Sequence, residues 1–157
     1  MSVGTGGADK AAAGEGQRTA VVVYRSATGT TRRYAEAIGA HLASRGLAVT
    51  VRSVGDCEMT ALPTADFVLF GCWTSGLFVV GQHPDRPWLD FARDLPRLER
   101  PRIGLFTTYK LLTGSMFGRM RERLAGRTAE PELELKSRDG SLSPADRGAL
   151  DRFVGLA

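Results

Sequence analysis

The chain predicts an α/β fold: a doubly wound, five-stranded parallel sheet in the order 2-1-3-4-5, with helices on both faces. Three observations lead there. Short apolar runs without alternation recur along the chain, the pattern of strands buried on both faces. Helical stretches are interleaved with them, and regular strand–helix alternation means right-handed crossovers and a parallel sheet. Finally, 157 residues with 43% hydrophobic content suffice for one buried core, and five strands in that length suit a single open sheet.

The first strand is TAVVVY, Thr19–Tyr24. In the helix that follows, Thr31–Ser44, apolar Tyr34, Ile38 and Leu42 recur every four residues with Ala35 and Ala37 beside them. Arg45-Gly46 ends it, glycine being suited to a left-handed cap. LAVTVRSV, Leu47–Val54, alternates as a strand near a sheet edge does. Asp56–Leu62 is at most a short helix, stopped before Pro63. DFVLFGC, Asp66–Cys72, is the third strand. A long irregular stretch with glycines and prolines, Trp73–Pro87, leads to a short helix, Trp88–Leu95. RIGLFTT, Arg102–Thr108, is the fourth strand, and Ser115–Gly126 is a helix with Met116, Phe117, Met120 and Leu124 on one side. ELELK, Glu132–Lys136, is the fifth strand. Ser143 as N-cap and Pro144 at the first helical position open a last helix that buries Leu150, Phe153 and Val154.

Residues 1–18, rich in Gly, Ala and polar side chains, read as a disordered tail without the apolar core of a secretory leader; residues 19–157 form one domain. No apolar run approaches a membrane span, and a cytoplasmic monomer or weak dimer is the default reading. Two cysteines, Cys57 and Cys72, give neither a disulfide framework nor a zinc site. The net charge of +4 is nearly all arginine, scattered and without aromatic interleaving, which argues against a nucleic-acid strip. Arg119, Arg121, Arg123 and Arg127 form either a docking face for an acidic partner or a solvated helix face.

In a doubly wound sheet, ligands bind beyond the carboxyl ends of the strands, where strand order reverses. RSATGTT, Arg25–Thr31, occupies that place between the first strand and first helix. A helix start offers unpaired N–H groups and the positive end of the dipole to an anion. Ser26, Thr28, Thr30 and Thr31 add hydroxyls, and Gly29 permits a tight turn. One capping residue would suffice for a helix, and here four hydroxyl residues gather. No lysine completes a nucleoside-triphosphate loop and no dinucleotide fingerprint is present. The ligand indicated is a small monophosphate on a larger head group.

YRSATGTTRRYAEAI resembles the phosphate loop of the flavodoxin family, commonly S/T-x-T-G-N/T-T after strand one. ADFVLFGCWTSG resembles that family's third strand and first ring-contacting loop, and RIGLFTTY its fourth strand and second ring loop. The resemblance spans roughly residues 20–156. It implies that Ser26, Ala27, Thr28, Gly29, Thr30 and Thr31 hold the phosphate of FMN. It further implies that Trp73, Thr74, Ser75 and Gly76 line one side of the isoalloxazine, and that Thr107, Thr108 and Tyr109 line the other, with Tyr109 stacked on the ring. No catalytic side chain and no metal ligand is implied.

The chain departs from that family in three ways. Ser75 stands before Gly76 where an aromatic is common, so the Trp73 ring either reaches the flavin or packs into the fold. Carboxylates around the cofactor are replaced by a basic balance with Asp85 as the only acid in the first ring loop and Lys110 after Tyr109, which implies a negatively charged reduced flavin less disfavoured than in acidic flavodoxins. The apolar run GLFVV, Gly76–Val80, is either an exposed docking patch or quinone-sized slot, or an inward plug. His83 either protonates a substrate or is solvated, Arg25 screens the phosphate or points to solvent, and Cys72 reads as a small buried residue. The resulting function is an electron carrier shuttling between a reductase and an acceptor protein. The alternatives are a flavin-dependent quinone reductase and a non-redox interaction module on the same fold.

Overall fold

Five strands run parallel in one sheet in the computed structural model, which describes residues 16–77 and 80–156. In chain order the elements are β1 (Thr19–Arg25), α1 (Thr30–Ser44), β2 (Ala48–Ser53), a 3₁₀ turn (Met59–Ala61), β3 (Phe67–Trp73), β4 (Ser75–Leu77), β5 (Val80–His83), α2 (Arg86–Arg93), β6 (Arg102–Thr108), α3 (Met116–Leu124), β7 (Leu133–Ser137) and α4 (Pro144–Phe153). The sheet order is β2-β1-β3-β6-β7, which is 2-1-3-4-5 when only its own strands are counted. The tail expected over residues 1–18 falls largely on residues 1–15, outside the described residues.

Period-two alternation splits each central strand between two cores. Val21 and Val23 of β1, Val68 and Phe70 of β3, and Ile103 and Leu105 of β6 face α2 and α3, where Trp88, Phe91, Met116, Met120 and Leu124 meet them. Ala20, Val22, Phe67, Leu69 and Phe106 face the other way, against Tyr34, Ile38 and Leu42 of α1 and Leu150 and Phe153 of α4. Both faces are covered, which is why these strands read as continuous apolar runs. β7 lies at an edge and does alternate, burying Leu133, Leu135 and Ser137 while Glu134 and Lys136 are exposed.

One glycine is demanded by packing. A Cβ on Gly71 would stand 2.0 Å from the Phe106 ring, which is itself buried edge-on against Tyr34 at a centroid distance of 6.0 Å. The Phe106 ring therefore lies directly over the β3 backbone at Gly71.

Two expectations are corrected. The stretch Trp73–Pro87 is not wholly irregular: β4 and β5 pair antiparallel, with Ser75 opposite His83 and Leu77 opposite Val80. That pairing satisfies backbone groups of a segment that leaves the main sheet. The helix expected from Trp88 begins at Arg86, because Asp85 caps it by accepting from Trp88 N and Pro87 fits the first turn. Phe78 lies outside the described residues, as do the side chains of Leu77 and Val80, and with them the inward or outward setting of this run.

At the amino ends of the central strands, Asp66 joins β1, β3 and β6. Its carboxylate accepts from Thr19 N at 2.9 Å and from Arg100 Nη2 at 2.8 Å, and its carbonyl accepts from Arg102 N at 3.0 Å. The Arg100 hydrogen bond foremost, with Thr19 N behind it, lowers the Asp66 pKa from its ordinary 3.8. A depressed folded value contributes stability that is complete above the unfolded pKa and is lost as pH falls through the folded one. Asp66→Asn is expected to cost roughly 1 kcal/mol at neutral pH. It should also flatten the fall in stability below about pH 4. Urea unfolding across pH measures both; an unchanged acid limb would exclude this contribution.

Candidate functional site

The site is built where β1, β3 and β6 end. Parallel register sets Arg25 beside Cys72, Trp73 beside Thr108, and Thr108 beside Ser137, so the loops leaving these strands emerge together. They surround a cavity of about 460 Å3 lined by Ala27, Thr28, Thr30 and Thr31 on one side, Trp73, Thr74 and Gln82 on another, and Thr108 to Leu112 with Arg138 on a third. That volume suits a cofactor-sized ligand.

The loop after β1 turns at Gly29, whose φ of +95° lies in the left-handed region where a Cβ would be strained. Ser26 Oγ accepts from Gly29 N at 2.9 Å and closes the turn. Gly29 is also the N-cap of α1, and no side chain caps that helix. The hydroxyls are therefore not spent on capping. Thr28 and Thr30 line the cavity, and the first N–H groups of α1 have no side-chain acceptor. Thr31 turns inward, its buried Oγ1 lying 2.5 Å from Thr108 Oγ1. That bond ties the helix start to the end of β6.

A second pair of hydroxyls joins β3 to β6. Thr107 Oγ1 donates to Cys72 O at 2.6 Å and lies 2.8 Å from Thr74 Oγ1, while Thr74 N donates to Thr108 O at 2.8 Å. Thr107 is fully buried and supports the wall from behind. Ser75 and Gly76 belong to β4, and Ser75 is not among the described cavity-lining residues. Tyr109 is half-buried; its N–H donates to Ser137 O at 3.2 Å. Lys136 Nζ and Arg138 Cζ stand 5.9 Å and 5.6 Å from its ring centroid, a cation–π arrangement that places positive charge at the mouth. The described lining carries Lys110 and Arg138 and no carboxylate.

Trp73 is anchored by a residue that sequence reasoning noted only as an isolated acid. Its indole Nε1 donates to Asp85 Oδ2 at 2.7 Å, and Arg25 Nε reaches the same oxygen at 2.8 Å. Asp85 Oδ1 accepts from Trp88 N at 3.3 Å and faces the Cys72 thiol at 3.7 Å. Asp85 thus binds the ends of β1 and β3 to the start of α2, and Arg25 turns to it rather than to a phosphate or to solvent. Burial above all pushes the Cys72 pKa up, so that thiol stays protonated. His83 is exposed and its Nδ1 lies 2.7 Å from Pro84 O. The motif DRPW carried the signal for Asp85, an N-cap before a proline-containing turn. Gln82, Leu111, Leu112 and Arg138 had no local signal; loop convergence alone brings them to the cavity. Among the described residues no group of three or more His, Cys, Asp or Glu is placed to hold a metal, and no helix is long and apolar enough to cross a membrane.

Residues 22–134 match the family model for flavodoxins. The flavodoxin of Nitratidesulfovibrio vulgaris (strain Miyazaki F) is 42% identical over 57 residues, a match spanning 36% of this chain and 38% of that protein. Among solved structures, the Streptococcus pneumoniae TIGR4 flavodoxin superposes with a TM-score of 0.68 at 22% identity, over 88% of this chain and 97% of that one. The two-electron reduced flavodoxin of Megasphaera elsdenii gives 0.68 at 21% identity, over 88% and 99%. Rubredoxin:oxygen oxidoreductase of Desulfovibrio gigas gives 0.63 at 18% identity, over 90% of this chain and 36% of the larger enzyme. At these identities the structural likenesses establish the fold.

Asp85→Ala removes the α2 cap and leaves Arg25 and the Trp73 indole without their acceptor. It is expected to lower unfolding free energy by roughly 2 kcal/mol and to change tryptophan emission. Asp85→Asn, which keeps one acceptor oxygen, should lose about half as much. Equal losses in denaturant titrations of the two variants would show that the carboxylate's charge, and not its acceptor geometry, carries the node.

Proposed function

This chain belongs to the flavodoxin family, and from that premise we infer that it binds FMN and carries electrons between a reductase and an acceptor protein. The family and fold support flavin-linked electron transfer in general. The observation that supports FMN in particular is the uncapped start of α1, set with Thr28 and Thr30 at one end of a cavity whose opposite walls bear Trp73 and Tyr109. A phosphate-tailed ring system needs those two ends, and the donor set fits one: N–H groups and neutral hydroxyls for the anion, aromatic faces for the ring.

When bound, the flavin supplies the redox chemistry. The residues of this chain bind and tune. The N–H groups that open α1 and the hydroxyls of Thr28 and Thr30 would hold the phosphate. Thr31 and Thr107 keep the strand ends at fixed spacing through their hydroxyl pairs. Trp73, fixed by Asp85, and Tyr109, held under Lys136 and Arg138, would flank the ring. Lys110 and Arg138 favour negative charge in the cavity, so electron uptake is aided there.

The visible absorption spectrum of the purified protein, before and after FMN is added, tests the assignment directly; a colourless protein that takes up no FMN overturns it. Thr28→Ala and Thr30→Ala are each expected to weaken FMN binding by roughly 1–2 kcal/mol, through a lost hydrogen bond to a charged group. Unchanged affinity in both variants would put the phosphate elsewhere. Lys110→Gln combined with Arg138→Gln should make the bound cofactor harder to reduce at low ionic strength, with the difference shrinking as salt is raised. Potentiometric titration with redox dyes reads this shift, and equal potentials in variant and parent would deny the cations any influence on the ring.

A further inference from the structure

Two leucines and three cations crowd the open side of the cavity. Leu111 and Leu112 line it and are nevertheless 56% and 46% exposed; among the described residues Leu156 is the other large hydrophobic side chain left exposed. Both lie in the loop between β6 and α3, directly after Lys110. Lys136 and Arg138 reach over the Tyr109 ring from the neighbouring strand end. Lys110, Lys136 and Arg138 form no ion pair among the described residues, in contrast with Arg121, which is held by Glu130 and Glu134. The nearby carboxylates are engaged: Asp139 accepts from Ser137 Oγ and from Ser141 N and Oγ, and Glu134 is turned to Arg121. The rim is therefore an apolar centre bordered by three cations without an ion-pair partner among the described residues, beside Asp139, which keeps its charge but is turned to Ser137 and Ser141.

We propose that this rim is the docking surface for a redox protein whose contacting face is acidic, with Leu111 and Leu112 at the centre and Lys110, Lys136 and Arg138 around them. The proposal rests on the flavin reading, because contact at the cavity mouth is what brings two redox centres together. An apolar centre inside a polar border is the anatomy of protein interfaces. Opposed charges steer the encounter and set its register. The whole chain's net charge of +4 acts in the same sense at longer range. A nucleic-acid strand would ask for cations spaced along a strip, whereas these gather round one ring. The arginines of α3 and of the turn after it are a weaker site, since Arg121 is paired and Arg127, beyond the helix, donates to Leu95 O.

The test uses FMN-loaded protein, photoreduced and mixed in a stopped-flow cell with one of two oxidised protein probes: acidic plastocyanin or basic cytochrome c. The rate with plastocyanin should exceed that with cytochrome c at low salt and fall about tenfold towards physiological ionic strength, as an attractive encounter is screened. Lys110→Glu combined with Arg138→Glu should reverse that salt slope. Leu111→Ser combined with Leu112→Ser should slow plastocyanin several-fold relative to ferricyanide measured in the same variant, a ratio that cancels any change in the flavin itself. Faster reaction with cytochrome c at low salt, or a leucine variant with an unchanged ratio, overturns the docking surface while the flavin reading stands. A protein that takes up no FMN overturns both.

Discussion

The structure depends on one constraint: parallel strands in register end together. Because β1, β3, β6 and β7 are paired in parallel, their carboxyl ends share one edge, and every loop that leaves them must start there. Buried apolar alternation pins the register, since a slip of one residue would exchange the residues of the two cores. The cavity follows from that geometry. No single loop forms it; residues 27–28, 30–31, 73–74, 82, 108–112 and 138 all contribute to its walls because the sheet delivers them to one place.

Small polar bonds then fix the walls. Thr31 with Thr108 and Thr107 with Thr74 are hydroxyl pairs at the strand ends, where side chains add to the last rungs of the main-chain ladder. A buried hydroxyl must find a partner, and threonine's restricted χ1 keeps each pair in place at low entropic cost. Asp85 performs the corresponding task for the aromatic side of the site. It compensates the Arg25 charge, orients the Trp73 indole and caps α2 with one carboxylate that is only 12% exposed. Such convergence makes the carboxylate worth more than any one of its bonds, since deleting it leaves several donors unsatisfied at once.

Charge distinguishes this site. The α1 end of the cavity offers neutral donors, and the mouth carries cations held near an aromatic face. The separation is physically sensible: a helix start binds an anion without a formal charge, leaving the lysines and arginine at the opening where they act on whatever approaches.

Much of this was legible in the amino-acid order. Continuous apolar runs revealed strands buried on both faces and helical periodicity revealed the covers, because these signals repeat at a period the backbone imposes, and the hydroxyl-rich turn at Ser26–Thr31 marked one wall of the cavity because its signal is local. The hairpin of β4 and β5 escaped because a short antiparallel pair outside the main sheet has too few residues to show alternation above its glycines and prolines. The start of α2 was set two residues late because the cap lay beyond the apolar pattern. Sequence alone determined the layers, the strand order and the place of the hydroxyl-rich turn after β1. Only the tertiary structure decided that Asp85 holds Trp73, that Thr107 supports a wall from behind, and that Gln82, Leu111, Leu112 and Arg138 meet at one cavity, since contacts between distant segments depend on where the register brings their loops and leave no periodic trace along the chain.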